Sequence, residues 1–149
     1  MKGHEELTDQ EIKKVLQAGR YTTLALIDGN DPYILNLYYG LDPQERILYF
    51  YTEKEGLKLD FLKSNPYVCG TVVEQPTAMD KREKEYYRSV VYRGIMEVIH
   101  NEKEQKKAMD CINSQIKGTF SVNSRSATMI MKLELEETEG RAIPCPTPL

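Results

Sequence analysis

The spacing of apolar and polar residues changes along this chain, and the N-terminal part has the period of an α-helix. Thr8 stands at an N-cap position with Glu11 three residues later, which is the signature of a helix start. Apolar residues recur from Ile12 to Leu16 at i, i+3 and i+4, so one stripe of this helix should be buried. Gly19 follows where the helix should stop.

Two later segments have a helical pattern as well. Residues 55–64 read as a short helix that ends before Pro66, because the residue before a proline is pushed out of the helical region. Asn101 followed by Glu104 predicts the start of a longer helix. The buried face predicted for it consists of Ala108, Met109, Ile112 and Ile116.

The segments between the helices have the period of β-strands. Turn residues from Asp28 to Pro32 predict a hairpin, and Gly94 predicts a bulge or a close approach of another backbone. A loop over 74–87 and an extended tail over 141–149 complete a single domain, 1–149. The predicted strands are 21–27, 33–39, 46–52, 68–73, 89–100 and 128–136.

This order of elements predicts a mainly β fold. Six strands with short turns, and helices segregated between them, favour an antiparallel barrel with flanking helices over a parallel, doubly wound sheet. A chain of 149 residues is long enough to bury such a core in one domain.

Composition and charge exclude several classes of function. The 20 basic and 23 acidic side chains are interspersed, which argues against nucleic acid or membrane partners. No apolar run approaches the ~20 residues of a membrane span, so we expect a soluble cytoplasmic protein. Three distant cysteines fit reduced thiols, and two histidines are too few for a catalytic zinc site, so no metal is expected.

Motif spacing alone identifies no reaction. The patterns for dinucleotides, nucleoside triphosphates, esterases and glycosidases are absent. One candidate is the strand that ends in Tyr51 and Thr52 and leads to a helix carrying Lys58, because hydroxyls, a helix start and a lysine together can bind an anion. By composition alone this signal is weak, because a strand–helix–strand passage with a lysine on its helix is usually only architecture.

Several segments, in this order, resemble the FMN-binding split-barrel family. The subgroup most similar is that of the pyridoxamine 5′-phosphate oxidase-like proteins, which include nitroimidazole-resistance reductases, and the resemblance runs from about Leu7 to about Arg141. The segments that carry it are Gly19–Gly29, Pro32–Tyr33, Asn36–Gly40, Tyr49–Thr52, Glu55–Lys58, Asn65–Cys69 and Ser89–Gly94.

The resemblance implies a homodimer of split barrels with FMN at the interface, touched by both chains. Lys58 and Arg20 would neutralise the FMN phosphate, because burying an anion requires charged donors, and Thr52 would add a hydroxyl. Other residues would flank the flavin ring, with Ser89 coming from the second subunit. The implied cofactor-binding residues are Arg20, Asn36, Leu37, Tyr38, Tyr51, Thr52, Leu57, Lys58 and Ser89.

The chain departs from these relatives at Tyr51, which replaces a histidine associated with nitroimidazole reduction, so that activity is not expected. Basic residues for pyridoxal phosphate are not evident near Arg141, which argues against vitamin B6 oxidation. The favoured function is an FMN-dependent oxidoreductase that moves electrons from a reduced donor, such as NAD(P)H, to a small acceptor. No catalytic residue is assigned.

Other interpretations stay open. The dimer could bind or store flavin without catalysis, or the barrel could hold a deazaflavin or haem. Lys58 could be an ordinary solvated lysine, Thr52 only a helix cap, and the tyrosines mainly packing groups.

Overall fold

A computed structural model of the chain describes residues 5–53, 59–74, 86–117 and 128–144. This part of the chain contains eight strands in one sheet and three helices. In chain order they are β1 (Glu5–Glu6), α1 (Asp9–Ala18), β2 (Tyr21–Asp28), β3 (Asp31–Asp42), β4 (Ile47–Glu53), α2 (Leu59–Ser64), β5 (Tyr67–Glu74), β6 (Tyr86–Val98), α3 (Glu102–Ile116), β7 (Thr128–Glu134) and β8 (Glu137–Pro144).

Six of the strands form a closed antiparallel ring. They lie in the order β6, β5, β2, β3, β4, β7, and β7 pairs back onto β6. The prediction of a mainly β, antiparallel fold is therefore confirmed. The large side chains that fill the ring include Leu24, Leu26, Tyr39, Leu48, Phe50, Val90, Tyr92, Met131 and Leu133.

The ring is split at β6. One edge of this strand pairs with β8 over Tyr86–Arg93 and with β7 over Met96–Val98. Gly94 lies at the fork, where an added Cβ would be 2.3 Å from the Glu134 carbonyl oxygen. The close backbone approach predicted at Gly94 is confirmed, and it lets β7 and β8 diverge from a single strand.

Helix α1 begins as predicted but ends for a different reason. The Thr8 hydroxyl accepts from the Glu11 amide at 3.2 Å, and the Glu11 carboxylate accepts from the Thr8 amide at 3.0 Å. Gly19 ends the helix with a φ of −75°, so no left-handed cap requires a glycine. A glycine is needed because an added Cβ would be 2.2 Å from the Tyr39 hydroxyl.

Helix α3 packs on the outside of the ring, over β3, β4 and β7. Its cap is confirmed, with the Asn101 side chain accepting from the Glu104 amide at 3.0 Å. Gly40 of β3 permits the close packing, because a Cβ there would lie 2.6 Å from the Cys111 backbone. The four residues predicted to be buried on α3 are all buried, beside Ile47, Tyr49, Ile99 and Ile130.

Some predicted boundaries were wrong. The loop predicted over 74–87 extends too far at both ends, because Glu74 belongs to β5 and β6 begins at Tyr86; residues 75–85 lie outside the described part. The tail predicted from 141 is in β8 as far as Pro144.

Candidate functional site

Among the residues that the structure describes, the exposed large apolar side chains lie on one face of the sheet. They lie on the outer face of β2, β3, β5 and β6, which continues the sheet beyond the area covered by α3. Exposed apolar groups clustered in this way mark an interaction site. We call this surface the open face; its exposed large apolar residues are Tyr21, Ile27, Ile34, Tyr38, Tyr67, Val73, Tyr87 and Ile95.

A row of three tyrosines crosses the open face towards α3. Tyr21 lies opposite Tyr38, and Tyr38 lies opposite Tyr51. Tyr21 and Tyr38 are 63% and 45% exposed, whereas Tyr51 is half-buried against the apolar residues beneath α3. The register therefore brings together two predicted flavin neighbours, Tyr38 and Tyr51, and joins Tyr21 to them.

A polar row lies beside the tyrosines. Asn36 is exposed on β3, and Thr23 lies directly opposite it on β2. The Thr23 hydroxyl donates to the Asn36 side-chain carbonyl at 2.6 Å. On the other side of β2, Thr71 of β5 lies opposite Thr23. Aromatic rings next to fixed polar groups are typical of sites that bind planar cofactors.

A hollow opens where β2 begins. Its volume is about 390 Å³, within the range of small-molecule sites. Hydroxyl, guanidinium and carboxylate groups line it together with apolar groups, so the hollow offers both polar and apolar contacts to a ligand. The lining residues are Ala18, Gly19, Arg20, Tyr21, Thr23, Thr71, Val73 and Glu74.

Arg20 is exposed at the edge of this hollow. Its backbone carbonyl accepts from the Tyr39 amide at 3.4 Å, and no acidic side chain of the described residues forms an ion pair with its guanidinium. Thr52 lies two strands away on β4, about 10 Å across the sheet. The chain thus does not place Arg20 and Thr52 side by side.

Leu37 and Thr52 face the interior of the barrel. Each is only 7% exposed, and the Thr52 hydroxyl donates to the Glu53 carbonyl at 3.2 Å. On the open face these residues offer their backbone, not their side chains. Leu57 and Lys58 lie outside the described residues, so their predicted roles stay predictions.

Ser89 does not lie beside Tyr38 in the same chain. It is half-buried on β6, opposite Val73 of β5. Three strand spacings separate β6 from β3, so Ser89 is about 14 Å from Tyr38 across the sheet. Within one chain Ser89 is therefore not in contact with Tyr38, and its predicted role from a second subunit stays a prediction.

A buried chain of hydroxyls fixes β2 against β5 behind the polar row. The Thr22 hydroxyl donates to the Thr71 carbonyl at 2.8 Å, so its oxygen accepts the proton of the Tyr92 hydroxyl, 2.9 Å away. Burial raises the pKa of Tyr92 well above its usual range, which keeps this group a neutral donor. The strands beneath the hollow are therefore rigidly paired.

A larger groove of about 1200 Å³ lies along α3, between this helix and the sheet. Two of its lysines form ion pairs: the Lys107 ammonium is 3.1 Å from the Asp42 carboxylate, and that of Lys132 is 2.8 Å from Glu104. It contains none of the predicted cofactor-binding residues. The open face is the stronger candidate.

Sequence reasoning missed Tyr21, Thr23 and Thr71 as members of this site. The signal was available in the hairpin, whose turn pairs Asp28 with Asp31 and thereby sets Tyr21 opposite Tyr38. Extending a register from its turn assigns the facing residues. The pairing with β5, in contrast, joins strands distant in sequence.

The closed ring with a fork at β6 and an open aromatic face defines the class of protein: an antiparallel split barrel. Residues 8–142 match the model of the family described as pyridoxamine 5′-phosphate oxidase. The chain belongs to this family, as the sequence resemblance predicted.

Individual relatives agree with this assignment of fold. A candidate 5-nitroimidazole antibiotic resistance protein of Bacteroides thetaiotaomicron has a TM-score of 0.78 and 18% identity, over 96% of this chain and 90% of that chain. A FAD-binding protein of Mesorhizobium loti has a TM-score of 0.73 and 24% identity, over 93% and 97%.

A curated relative matches over a shorter stretch. The UPF0306 protein YE0465 of Yersinia enterocolitica is 28% identical over 93 residues, which are 62% of this chain and 60% of that protein. The match therefore spans less than two thirds of the relative's length.

In the part of the chain that the structure describes, no helix is long and apolar enough to cross a membrane.

Proposed function

We propose that this protein is a flavoprotein that binds FMN at the interface of a homodimer. The observation that carries the proposal is the open face, where exposed apolar residues surround a tyrosine row and a polar row. Membership of the pyridoxamine 5′-phosphate oxidase family supports a flavin as the ligand. So does the structural likeness to a protein described as FAD-binding.

A second copy of the chain is the partner that fits the open face. Exposed Ile34 and Tyr38 would be buried by it, and burial of apolar area drives association. The position of Ser89, about 14 Å across the sheet from Tyr38, is compatible with a dimer in which a partner chain would bring it to the ring.

The residues of the open face fit a flavin. Tyr38 and Tyr51 offer aromatic surface to the ring, and Asn36 offers an amide. Lys58 would neutralise the phosphate, and Arg20 would contribute the other positive charge. The cofactor supplies electron transfer when bound, whereas these residues bind it, orient it and exclude water.

The activity that we favour is that of an oxidoreductase, in the cytoplasm, with a reduced nicotinamide as donor and a small molecule as acceptor. A flavin binder without catalysis is the second candidate. It is favoured by the location of the buried ionisable residues: Tyr39 and Tyr92 lie inside the barrel, and Tyr49 and Asp42 lie beneath α3, all away from the open face.

The first experiment identifies the ligand. The purified protein is scanned in the visible range, and the bound flavin is released by acid and separated by chromatography and mass spectrometry. FMN in the released fraction supports the proposal, FAD would correct the cofactor, and no flavin, even after incubation with FMN, would overturn it. Adding NADH or NADPH without oxygen then separates the two candidates, since bleaching of the flavin supports the oxidoreductase.

The phosphate site is tested by comparing FMN with riboflavin. We expect Lys58→Ala to weaken FMN about tenfold or more, because it removes a charged hydrogen bond, and to leave riboflavin affinity nearly unchanged. Lys63→Ala, at the C-terminal end of α2, is the matched control. Equal losses for both ligands would remove Lys58 from the phosphate site.

A further inference from the structure

The hydrogen bond between Thr23 and Asn36 has only one direction. The Thr23 hydroxyl oxygen and the Asn36 carbonyl oxygen are 2.6 Å apart, and a carbonyl has no proton to give, so the hydroxyl donates. This distance is typical of O–H···O bonds and short for N–H···O bonds, which supports the carbonyl, not the amide nitrogen, as the atom that faces Thr23.

The bond fixes what Asn36 shows to its surroundings. With its carbonyl held by Thr23, the Asn36 NH2 group is left as a donor, and no described residue accepts from it. Its neighbours on the same face of β3 are Ile34 and Tyr38, which are 66% and 45% exposed. If this face is covered, an unpaired donor among apolar groups is costly, so whatever covers it must supply an acceptor.

We propose that Thr23 is a positioning residue that holds the Asn36 NH2 group as a hydrogen-bond donor to the polar edge of the flavin ring. This inference rests on the proposed function. The carbonyl and ring-nitrogen acceptors of a flavin gain negative charge when the ring is reduced, and hydrogen bonds to charged acceptors are stronger than those to neutral ones. The amide therefore favours the reduced flavin and raises its reduction potential.

Three variants test the roles of the two residues. Thr23→Val removes the hydroxyl at nearly constant shape and lets the amide rotate, Thr23→Ser keeps the hydroxyl, and Asn36→Leu removes the donor. For each protein, the dissociation constant of oxidised FMN and the reduction potential of the bound FMN are measured. The dissociation constant of reduced FMN is then calculated from these two values.

We expect Thr23→Val to lower the preference for reduced over oxidised FMN about tenfold, which is about 30 mV in the two-electron potential. Asn36→Leu should have the same effect, Thr23→Ser should restore most of the wild-type preference, and Thr23→Val should add little in the Asn36→Leu background. Ser64→Ala is the control, because it removes a hydroxyl bond of the same 2.6 Å length, to Asp28, outside the site.

The outcomes are distinct. If wild-type protein binds no flavin, the proposed function fails. If it binds FMN and the preference in Thr23→Val equals that of the wild type, the positioning role is overturned while the proposed function stands. The side-chain amide NMR signals of Asn36 give a readout without reduction: they should shift on addition of FMN, and no shift would contradict the contact.

Discussion

At the scale of single residues, two buried tyrosines explain two glycines. Tyr39 and Tyr92 fill the barrel with no exposed surface. Each ring reaches a neighbouring backbone so closely that an added Cβ would lie 2.2 Å from it, at Gly19 for Tyr39 and at Gly70 for Tyr92. Both glycines are required for space, since neither has a positive φ.

Gly70→Ala should therefore destabilise the protein by about 2 kcal/mol, as overpacking of a filled core does. The cost should fall when Tyr92 is replaced by Leu, because the atoms in conflict are gone. Urea unfolding of the two single variants and the double variant measures the coupling. Gly29→Ala, which adds its methyl in open space at a φ of +59°, is the control for backbone conformation alone. If the losses of Gly70→Ala and of the Tyr92 replacement simply added up in the double variant, the steric explanation would be contradicted.

Burial of Tyr92 also predicts how stability depends on pH. Its pKa is raised in the folded protein, whereas an unfolded tyrosine titrates near pH 10. Above that pH the unfolded state loses a proton that the folded state keeps, so stability falls as pH rises. Tyr92→Phe should weaken this dependence: its stability relative to wild type should rise by about 1 kcal/mol between pH 9 and pH 11. If the difference in unfolding free energy between the two proteins, measured with urea, were the same at pH 9 and pH 11, this explanation would be contradicted.

At the scale of elements, a side chain from α3 completes the end of α1. The amide nitrogen of Gln115 donates to the Leu16 carbonyl at 2.7 Å and to the Gly19 carbonyl at 2.6 Å. Its carbonyl accepts from the Leu41 amide at 2.8 Å. Because α1 has no left-handed cap, these bonds take the place of a local one and join α1, α3 and β3.

We expect Gln115→Met, which keeps the length of the side chain but removes these bonds, to cost about 3 kcal/mol. The Gly19 carbonyl and the Leu41 amide lose this partner, whereas the Leu16 carbonyl keeps the Tyr39 hydroxyl. Gln105→Met is the matched control on the same helix: it removes a single bond, to the Ile99 carbonyl at 2.9 Å, and should cost about 1 kcal/mol. Equal losses in chemical unfolding would show that Gln115 does not secure the end of α1.

Local signals predicted some elements and could not predict others. The caps at Thr8 and Asn101 are local chemistry, and both helices begin there. Strand β8, Glu137–Pro144, is charged and contains a glycine, so its own sequence gives little sign of a strand. It forms because the outer edge of β6 needs hydrogen-bond partners over Tyr86–Arg93, and such tertiary pairing overrides propensity.

At the scale of the whole molecule, the open face should hold two chains together. Ile34→Glu places a charge where apolar surface would be buried, so we expect dimers to dissociate and flavin to be lost with them. Ser114→Glu adds the same charge at an exposed position of α3 and should leave the mass of the dimer in solution unchanged. Sedimentation velocity measures both proteins; a wild-type monomer, or a dimer unaffected by Ile34→Glu, would contradict the proposed interface.

Only part of the candidate site was predictable from the sequence. Sequence resemblance identified Asn36, Tyr38 and Tyr51, which the register places on neighbouring strands. Which side chains face outward depends on strand pairing. This pairing directs the side chains of Leu37 and Thr52 into the core. Thr71 joins the site through the pairing of β2 with β5, a contact between segments almost 50 residues apart in the chain.

The fork at β6 has a consequence for how the chain folds while it is being synthesised. The hairpins that join β2, β3 and β4 use neighbouring segments, so they can form as soon as those residues leave the ribosome. The outer edge of β6 has to wait for β7 and β8, which are synthesised after α3. Contacts between distant segments form slowly, and an unpaired strand edge invites association with other chains. The nascent chain is therefore most exposed to aggregation while α3 is being made, and chaperones that cover strand edges should contact it in that interval.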